Sequence, residues 1–242
     1  MINQKVAIVS GASRGIGLEI ARKLFSEGFF VIQTSRSVPK KQDIFCEHFV
    51  CDSTNKDQTK LFVETVLGKF GRIDLLVCNS GSGKPQNLES SLDVKIRKSI
   101  EENLIVAVNM IESLLDSLKK SKGCVIGISS IVATSNMLEA PLEYSISKSA
   151  LEKYFKVMSL KYASESIRFH LIAPGNVMFP GSVWEEKLQN NKNEIQNYIS
   201  KKVPTGRFIH IDEITDTVLF LAKKATMALT GSIFLVDGGQ NL

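Results

Sequence analysis

The chain is short of the residues that build metal centres and cross-linked frameworks. Its 242 residues include four cysteines, Cys46, Cys51, Cys78 and Cys124, and three histidines, His48, His170 and His210. No two cysteines have C-x-x-C spacing and the histidines stand far apart, so no metal-ligand cluster is expected. The cysteines read as small buried hydrophobes. No apolar run reaches the ~20 residues that a membrane helix needs. Met1-Ile2-Asn3-Gln4-Lys5 runs straight into a strand with no leader pattern, so no membrane association and a reducing cytoplasm are expected. There is no block of like charge, no repeat and no low-complexity stretch. Lys and Arg outnumber Asp and Glu by 30 to 25, a net charge of +5. Because the excess is scattered, it reads as a solvated basic surface biased toward phosphate-bearing ligands, and it does not call for nucleic acid.

What is present is a globular composition, 43% hydrophobic and 23% charged, and a length that suits one α/β domain over residues 1–242. Short apolar runs predict strands at 6–9, 29–33, 48–52, 73–78, 124–129, 167–173 and 232–236. Between them lie helical periodicities at 16–27, 55–69, 92–120, 142–164 and 211–223. The first helix carries Ile16, Ile20, Leu24 and Phe25 on one face, and the last starts from Asp212 as N-cap. The helix over 92–120 shows an apolar face of Ile96, Ile100, Leu104, Ala107, Val108, Ile111 and Leu115. Strands alternating with helices predict a seven-stranded parallel sheet with helices on both faces, a doubly wound fold of Rossmann type. The stretch from Val177 to Arg207 departs from the alternation. It holds Trp184, a polar helical run near 183–200 and turns at Pro180-Gly181 and Pro204-Thr205-Gly206, and it is expected to be a substrate lid at about 177–207.

The chemistry-bearing residues fall at strand ends. Ser10 to Gly17 is a glycine-rich turn between the first strand and the first helix. Gly11 suits the tight turn, Gly15 a close backbone approach to a ligand and Gly17 the packing of helix on strand. Gly11, Ser13, Arg14, Gly15, Ile16 and Gly17 are therefore expected to cradle a pyrophosphate at the helix N-terminus. The second strand ends in Thr34-Ser35-Arg36, with no acid before Asp43. Ser35, Arg36 and Arg14 suit a 2′-phosphate better than a ribose diol, so NADP is expected over NAD. Asp52 ends the third strand, placed to accept from an adenine amino group or to cap the helix at 55–69. Asn79-Ser80-Gly81 is a small-residue turn at the end of the fourth strand, and Ser130 stands at the end of the fifth. Tyr144 and Lys148 lie four residues apart on a helix and so share a face. An ammonium beside a phenol favours the phenolate and is expected to lower the tyrosine pKa. Asn103, inside the long helix, is a poor residue for a helix interior. His170, within the sixth strand and without a neighbouring acid, reads as a satisfied structural residue. Pro174-Gly175-Asn176 ends the sixth strand.

Taken together, these motifs resemble the short-chain dehydrogenase/reductase family from Lys5 to Asp237-Gly238-Gly239. Six of them stand in the family's order and near its spacing: Ser10 to Gly17, Asn79-Ser80-Gly81, Asn103, Ser130, Tyr144 with Lys148, and Pro174-Gly175. The resemblance implies an NADP(H)-dependent oxidoreductase that interconverts a ketone and a secondary alcohol. It implies that Tyr144 gives its proton to the carbonyl oxygen and Ser130 hydrogen-bonds that oxygen. Lys148 would hold the nicotinamide ribose, and Asn103 would anchor a water beyond it. Asn79, Ser80, Gly81, Tyr144, Lys148, Pro174, Gly175 and Val177 would line the cofactor site. Many relatives resemble 3-oxoacyl-[acyl-carrier-protein] reductases, which implies a small-molecule carbonyl substrate carried on an acyl carrier protein that meets Lys119, Lys120 and Lys122. A sugar or polyol dehydrogenase and a non-catalytic dinucleotide-sensing regulator are the alternatives. Relatives pair the helices at 92–120 and 142–164, so a homodimer or homotetramer is implied. The chain departs from the family pattern in two places. Asn176-Val177-Met178-Phe179-Pro180 lacks the usual Thr that bonds the nicotinamide amide, with Asn176 or the Val177 backbone as substitutes. The segment from Ser130 to Tyr144 is about one residue longer than in many relatives.

Overall fold

Five consecutive apolar or small residues, Val6–Ser10, form a strand buried along its whole length, as expected where helices cover both faces of a sheet. The computed structural model of the chain describes residues 4–39, 46–84, 89–223 and 228–241. Asp43, the first acid after Arg36, lies outside them. In chain order, β1 (Val6–Ser10), α1 (Gly15–Ser26), β2 (Phe30–Ser35), β3 (Glu47–Val50), α2 (Lys56–Phe70) and β4 (Leu75–Cys78) make the first half. The second half runs α3 (Leu92–Ile100), α4 (Val106–Ser121), β5 (Cys124–Ile128), α5 (Leu142–Tyr162), β6 (Arg168–Pro174), β7 (Val177–Met178), α6 (Val183–Asn190), α7 (Lys192–Lys202), β8 (Ile209–His210), α8 (Ile211–Ala222) and β9 (Ile233–Val236).

The main sheet has seven strands in the order β3-β2-β1-β4-β5-β6-β9, every pair parallel. Chain order reverses between β1 and β4, the crevice where open α/β sheets bind ligands. One face is covered by α2, α4 and α5 through Phe62, Val66, Met110, Leu114, Leu151 and Phe155. The other is covered by α1 and α8 through Ile20, Leu24, Ile214 and Val218. The single α/β domain with a seven-stranded sheet is as expected.

Several local expectations need correction. The helix at 92–120 is interrupted by a π-helical turn at Glu101–Ile105. One extra residue in a helix turns everything after it by about 100°. The buried stripe keeps the expected Ala107 and Ile111 and adds Met110, Leu114 and Leu118, while Val108 and Leu115 are only partly buried. Phe25 is 48% exposed, and Ala21 takes its place on the buried face of α1. Asp212 is not the cap of the last helix: His210 holds that position, and Glu213 reaches back to the His210 N–H at 2.8 Å. The cap of α2 is Asn55, whose side chain accepts from the Gln58 N–H, so Asp52 does not cap it. The stretch after Val177 is not without strand: β7 pairs with β8 in a separate two-stranded ribbon. Its polar helical run is two helices, α6 and α7, joined by a small core of Ile195, Val203 and Phe208.

Candidate active site

The carboxyl ends of β1 and β4 approach so closely that only glycine fits between them. Gly11 has φ +63, and a Cβ there would lie 2.9 Å from Ser80 Cα. A Cβ on Gly17 would lie 2.6 Å from the Gly11 carbonyl and would strike the Asn79 amide. Asn79 locks the two turns together: its Nδ2 donates to the carbonyls of Ser10 and Gly11 at 3.1 and 3.0 Å. The N-terminus of α1 has no acid in its first turn and no capping side chain. Its N–H groups and dipole are thus free for an anion.

Beside this cradle lies a cleft of about 770 Å³ that brings together Gly11, Ser13, Arg14, Ser35, Arg36, Asp52, Ser80 and Gly81. Glycine cradle, acid-free helix start and a cleft lined by Arg14, Arg22 and Arg36 fit a phosphate-bearing dinucleotide. Four of the expected residues also have partners within the chain. Ile16 packs its side chain into the core under α1. Gly15 faces the Phe179 ring, 3.3 Å from where its Cβ would be. Ser35 Oγ donates to the Ser37 carbonyl and lies 2.7 Å from His48 Nε2, so its proton is already committed. Asp52 Oδ1 accepts from the backbone and side chain of Thr54.

The four expected catalytic side chains converge at the ends of β4 and β5. Lys148 is buried, and its Nζ donates to the Ile128 carbonyl at 2.8 Å and lies 5.8 Å from the Tyr144 ring centre. The Ser130 hydroxyl stands near the Tyr144 phenol, and its Oγ accepts from the Val132 N–H at 3.5 Å. Asn103, in the π turn, accepts from Ser82 N at 3.1 Å and donates to Ser82 O and Ser99 O. Its amide is thereby clamped to the turn that follows Asn79. A wider turn at a functional helix position accounts for an asparagine that the helix interior disfavours. The expected lowering of the tyrosine pKa does not hold here. Tyr144 is partly exposed as a residue, yet burial of its phenol dominates and pushes it up to about 12, with only the nearby Ser130 hydroxyl acting the other way. Burial also brings Lys148 down to about 8, against the opposing pull of Cys78 and Glu152.

Gly83 closes the small-residue turn that begins at Asn79, and two further supports of the site, Glu152 and His48, were not singled out from sequence. Gly83 lies under Tyr144: a Cβ there would be 3.2 Å from the ring. Glu152, one helical turn past Lys148, is buried, and its Oε1 accepts from Ser129 Oγ at 2.8 Å. With Lys148 on Ile128, it ties α5 to the strand end that carries Ser130. His48 supports Ser35. Glu152 had a signal in sequence, since it continues the Tyr144–Lys148 spacing of four. Pro174, Gly175 and Val177 stand at the end of β6 as expected. The Asn176 amide, however, donates to the Tyr198 hydroxyl at 3.1 Å, so it does not stand free to replace the missing Thr. His170 is buried, and neither ring nitrogen finds a hydrogen-bond partner among the described residues, so it is not the satisfied residue expected. Burial lowers its pKa to about 4.

A family model described as enoyl-(acyl carrier protein) reductase, a short-chain dehydrogenase/reductase model, matches residues 11–241. The chain is a short-chain dehydrogenase/reductase. It is 32% identical over 247 residues to the 3-oxoacyl-[acyl-carrier-protein] reductase of Buchnera aphidicola, covering 99% of this chain and 98% of that protein. It is 30% identical over 246 residues to the L-fucose dehydrogenase of Bos taurus, covering 98% and 90%. The crystal structure of L-sorbose reductase from Gluconobacter frateurii, complexed with NADPH and L-sorbose, superposes with a TM-score of 0.87 at 26% identity, covering 99% and 97%. As a family oxidoreductase it acts on CH–OH groups with a nicotinamide dinucleotide. Among the described residues no helix is long and apolar enough to cross a membrane, and no group of three or more His, Cys, Asp or Glu is placed to hold a metal.

Proposed function

We propose that this short-chain dehydrogenase/reductase is an NADP(H)-dependent carbonyl reductase that interconverts a ketone and a secondary alcohol, with Tyr144 as proton donor and acceptor. The observation that carries it is Tyr144 beside Ser130, with Lys148 Nζ 5.8 Å from its ring centre and close to Gly81 of the glycine-cradled cleft. The dinucleotide supplies the hydride for reduction and takes it up in oxidation. In reduction the carbonyl carbon gains that hydride and its two electrons, and the carbonyl oxygen gains the Tyr144 proton. Tyr144 then recovers a proton from solvent. A phenol held near 12 is protonated at neutral pH, so it is ready to donate, and Ser130 offers a second hydrogen bond to the same oxygen. One Lys148 N–H is used on Ile128. The others remain to bind the nicotinamide ribose and to stabilise the phenolate as it forms. Asn103 fixes Ser82 and keeps the turn of Gly81 against Lys148, with an anchored water as its further role.

A Tyr144→Phe variant tests this. It is expected to keep its affinity for NADPH while kcat falls by about 10²–10⁴. Retained turnover would sink the mechanism, and a wild type that binds NADPH but turns over no carbonyl would favour a dinucleotide-sensing regulator.

NADP is favoured over NAD by Arg14 and Arg36 on the cleft and by the absence of any acid from Thr34 to Arg36. An Arg36→Ala variant is expected to bind NADPH about tenfold more weakly, with NADH affinity unchanged, in a fluorescence titration. Equal losses for both cofactors would leave the arginine without a 2′-phosphate. An acyl-carrier substrate draws less support from the lysines at the end of α4. Lys119 pairs with Glu165 at 3.0 Å and lies over the Tyr162 ring, and Lys122 forms the left-handed cap of the helix. Both uses belong to a helix C-terminus. Ile146, Val157 and Leu160 stay exposed on α5, which supports pairing of two copies through that helix into a dimer or tetramer. Residues 177–207, poised beside the strand ends, act as the substrate lid, and the cytoplasm is the compartment of action.

A further inference from the structure

Strand β2 and the turn after it are held in two different ways. Up to Ser35 the backbone is held from both sides. The Thr34 carbonyl accepts from the Ala12 N–H of the glycine turn at 3.1 Å, and the Ser35 carbonyl accepts from the Cys51 N–H at 2.9 Å. Past Ser35 the chain leaves the sheet, and Arg36, Ser37, Val38 and Pro39 line the cleft together with Arg14. The Ser35 side chain catches the chain there. Its Oγ donates to the Ser37 carbonyl at 2.7 Å, folding the backbone around Arg36, and it stands 2.7 Å from Nε2 of His48 on the edge strand β3. His48 pairs with Gln33 in the sheet register. Residues two apart on a strand share a face, so the His48 ring and the Ser35 hydroxyl lie on one side of the sheet.

The two bonds fix each other's direction. A carbonyl only accepts, so the Ser35 hydroxyl proton is committed to Ser37. Towards His48 the Ser35 oxygen can then only accept, and Nε2 must carry the hydrogen. The relay runs one way, from the His48 N–H to the Ser35 hydroxyl to the Ser37 carbonyl. Burial lowers the His48 pKa, and a neutral imidazole fills this role with its hydrogen on Nε2. The same logic removes Ser35 as a donor to phosphate. Arg36 and the Ser37 hydroxyl, both exposed on the cleft, are the groups of this turn left to meet one. We infer that His48 is a positioning residue for the 2′-phosphate of NADP(H): through Ser35 it sets the turn that presents Arg36 and Ser37 to that phosphate. The inference rests on the NADP reading above and deepens it, since it makes Ser37, not Ser35, the hydroxyl that the phosphate meets.

The arm matters because an exposed turn samples many arrangements, and ordering it at the moment of binding subtracts from affinity. A serine held on both sides orders the backbone around Arg36 in advance. The 2′-phosphate is the group that distinguishes the two dinucleotides, so a loosened turn weakens one cofactor and leaves the other as it was. His48 is not among the described residues that line the cleft, so its effect passes through Ser35 and not through direct contact with the cofactor.

The test titrates NADPH, NADH and adenosine 2′,5′-bisphosphate into wild type, His48→Ala, His48→Gln, Ser35→Ala and the double variant His48→Ala/Ser35→Ala, read by calorimetry. His48→Ala is expected to bind NADPH and the bisphosphate about fivefold more weakly, the worth of one hydrogen bond, with NADH within about twofold of wild type. A glutamine can bring an amide N–H close to the place of Nε2, so His48→Gln should return NADPH affinity to within about twofold. The double variant should bind NADPH no more weakly than Ser35→Ala, because a residue that acts through Ser35 then has nothing to act on. His48 is partly exposed on an edge strand. If His48→Ala still fails to fold, His48→Phe keeps the bulk without the donor and takes its place, with the same expectation. The inference is overturned by equal losses for NADPH and NADH, by NADPH affinity that stays at the wild-type value without the donor, by no recovery in His48→Gln, or by additive losses in the double variant. Those outcomes leave the NADP reading standing as long as Arg36→Ala separates the two cofactors. Equal losses for both cofactors in Arg36→Ala would bring down that reading and this inference with it.

Discussion

The two sides of the site are built differently. On the cofactor side, β1 and β4 end in turns that are wedged against each other, and their residues are tied by bonds across about 70 positions of sequence, Asn79 to Ser10 and Gly11. On the substrate side, β7 and β8 have two residues each, α6 and α7 share a core of three buried residues, and most side chains of α7 are exposed. The first arrangement tolerates little change because backbone meets backbone. The second can be rebuilt without disturbing the sheet. Such an organisation lets substrate choice drift over a constant cofactor frame, which fits near-equal identity to a 3-oxoacyl-[acyl-carrier-protein] reductase and an L-fucose dehydrogenase.

The comparison breaks most sharply at Gly17. A Gly17→Ala methyl would lie 2.6 Å from the Gly11 carbonyl and would strike the Asn79 amide, neither of which can retreat. The substitution is expected to cost about 3 kcal/mol of stability by overpacking and to abolish NADPH binding, read by thermal unfolding and fluorescence titration. Normal binding would mean that the cradle is less rigid than its contacts imply. A smaller effect is expected at Glu152, which supports the Lys148 charge. Burial holds Lys148 near 8 and Glu152 opposes that lowering. The ammonium is present below that pH and is lost as pH rises through it, so kcat/KM for carbonyl reduction should decline above about pH 8. Glu152→Gln can keep the Ser129 hydrogen bond but removes the negative charge. It should move this decline to lower pH by about one unit, with kcat at pH 6 near wild type. An unmoved limb would show that Glu152 acts only through Ser129.

The same contrast decides what the sequence reveals. The seven parallel strands, the glycine-rich turn and the helix face shared by Tyr144 and Lys148 are legible because each follows from local pattern: apolar runs, glycine spacing, a spacing of four on a helix. The π turn was not legible, because adding one residue to a helix leaves the apolar count intact and changes only its phase. A regular stripe puts Leu104, Val108 and Leu115 with Ile111, whereas only Ile111 of these four is fully buried. The pKa of Tyr144 was missed for another reason. A charge four residues away is visible in sequence, whereas the desolvation that outweighs it depends on packing from β4, β5 and the Gly83 turn. The His48 ring, 13 residues from Ser35, had no local signal: its role appears only when β3 is seen beside β2.

The substrate side offers the mildest test. Trp184 stacks on Tyr198 with ring centres 5.4 Å apart and leans on Phe208 at 4.7 Å, so it is the main aromatic support of the small core under the proposed lid. Trp184→Ala removes that support but touches no residue of the cofactor cleft. If the two sides are as separable as their construction implies, NADPH affinity should change by less than about twofold. KM for the carbonyl substrate should rise a few-fold, about 0.5–1.5 kcal/mol, the worth of an aromatic contact. The contrast is sharpest if the protein unfolds in two steps in this variant, with loss of Trp-independent lid protection in hydrogen exchange before the sheet opens. A large loss of NADPH affinity would instead join lid and cradle into one cooperative unit, through the Phe179 ring that already lies against Gly15.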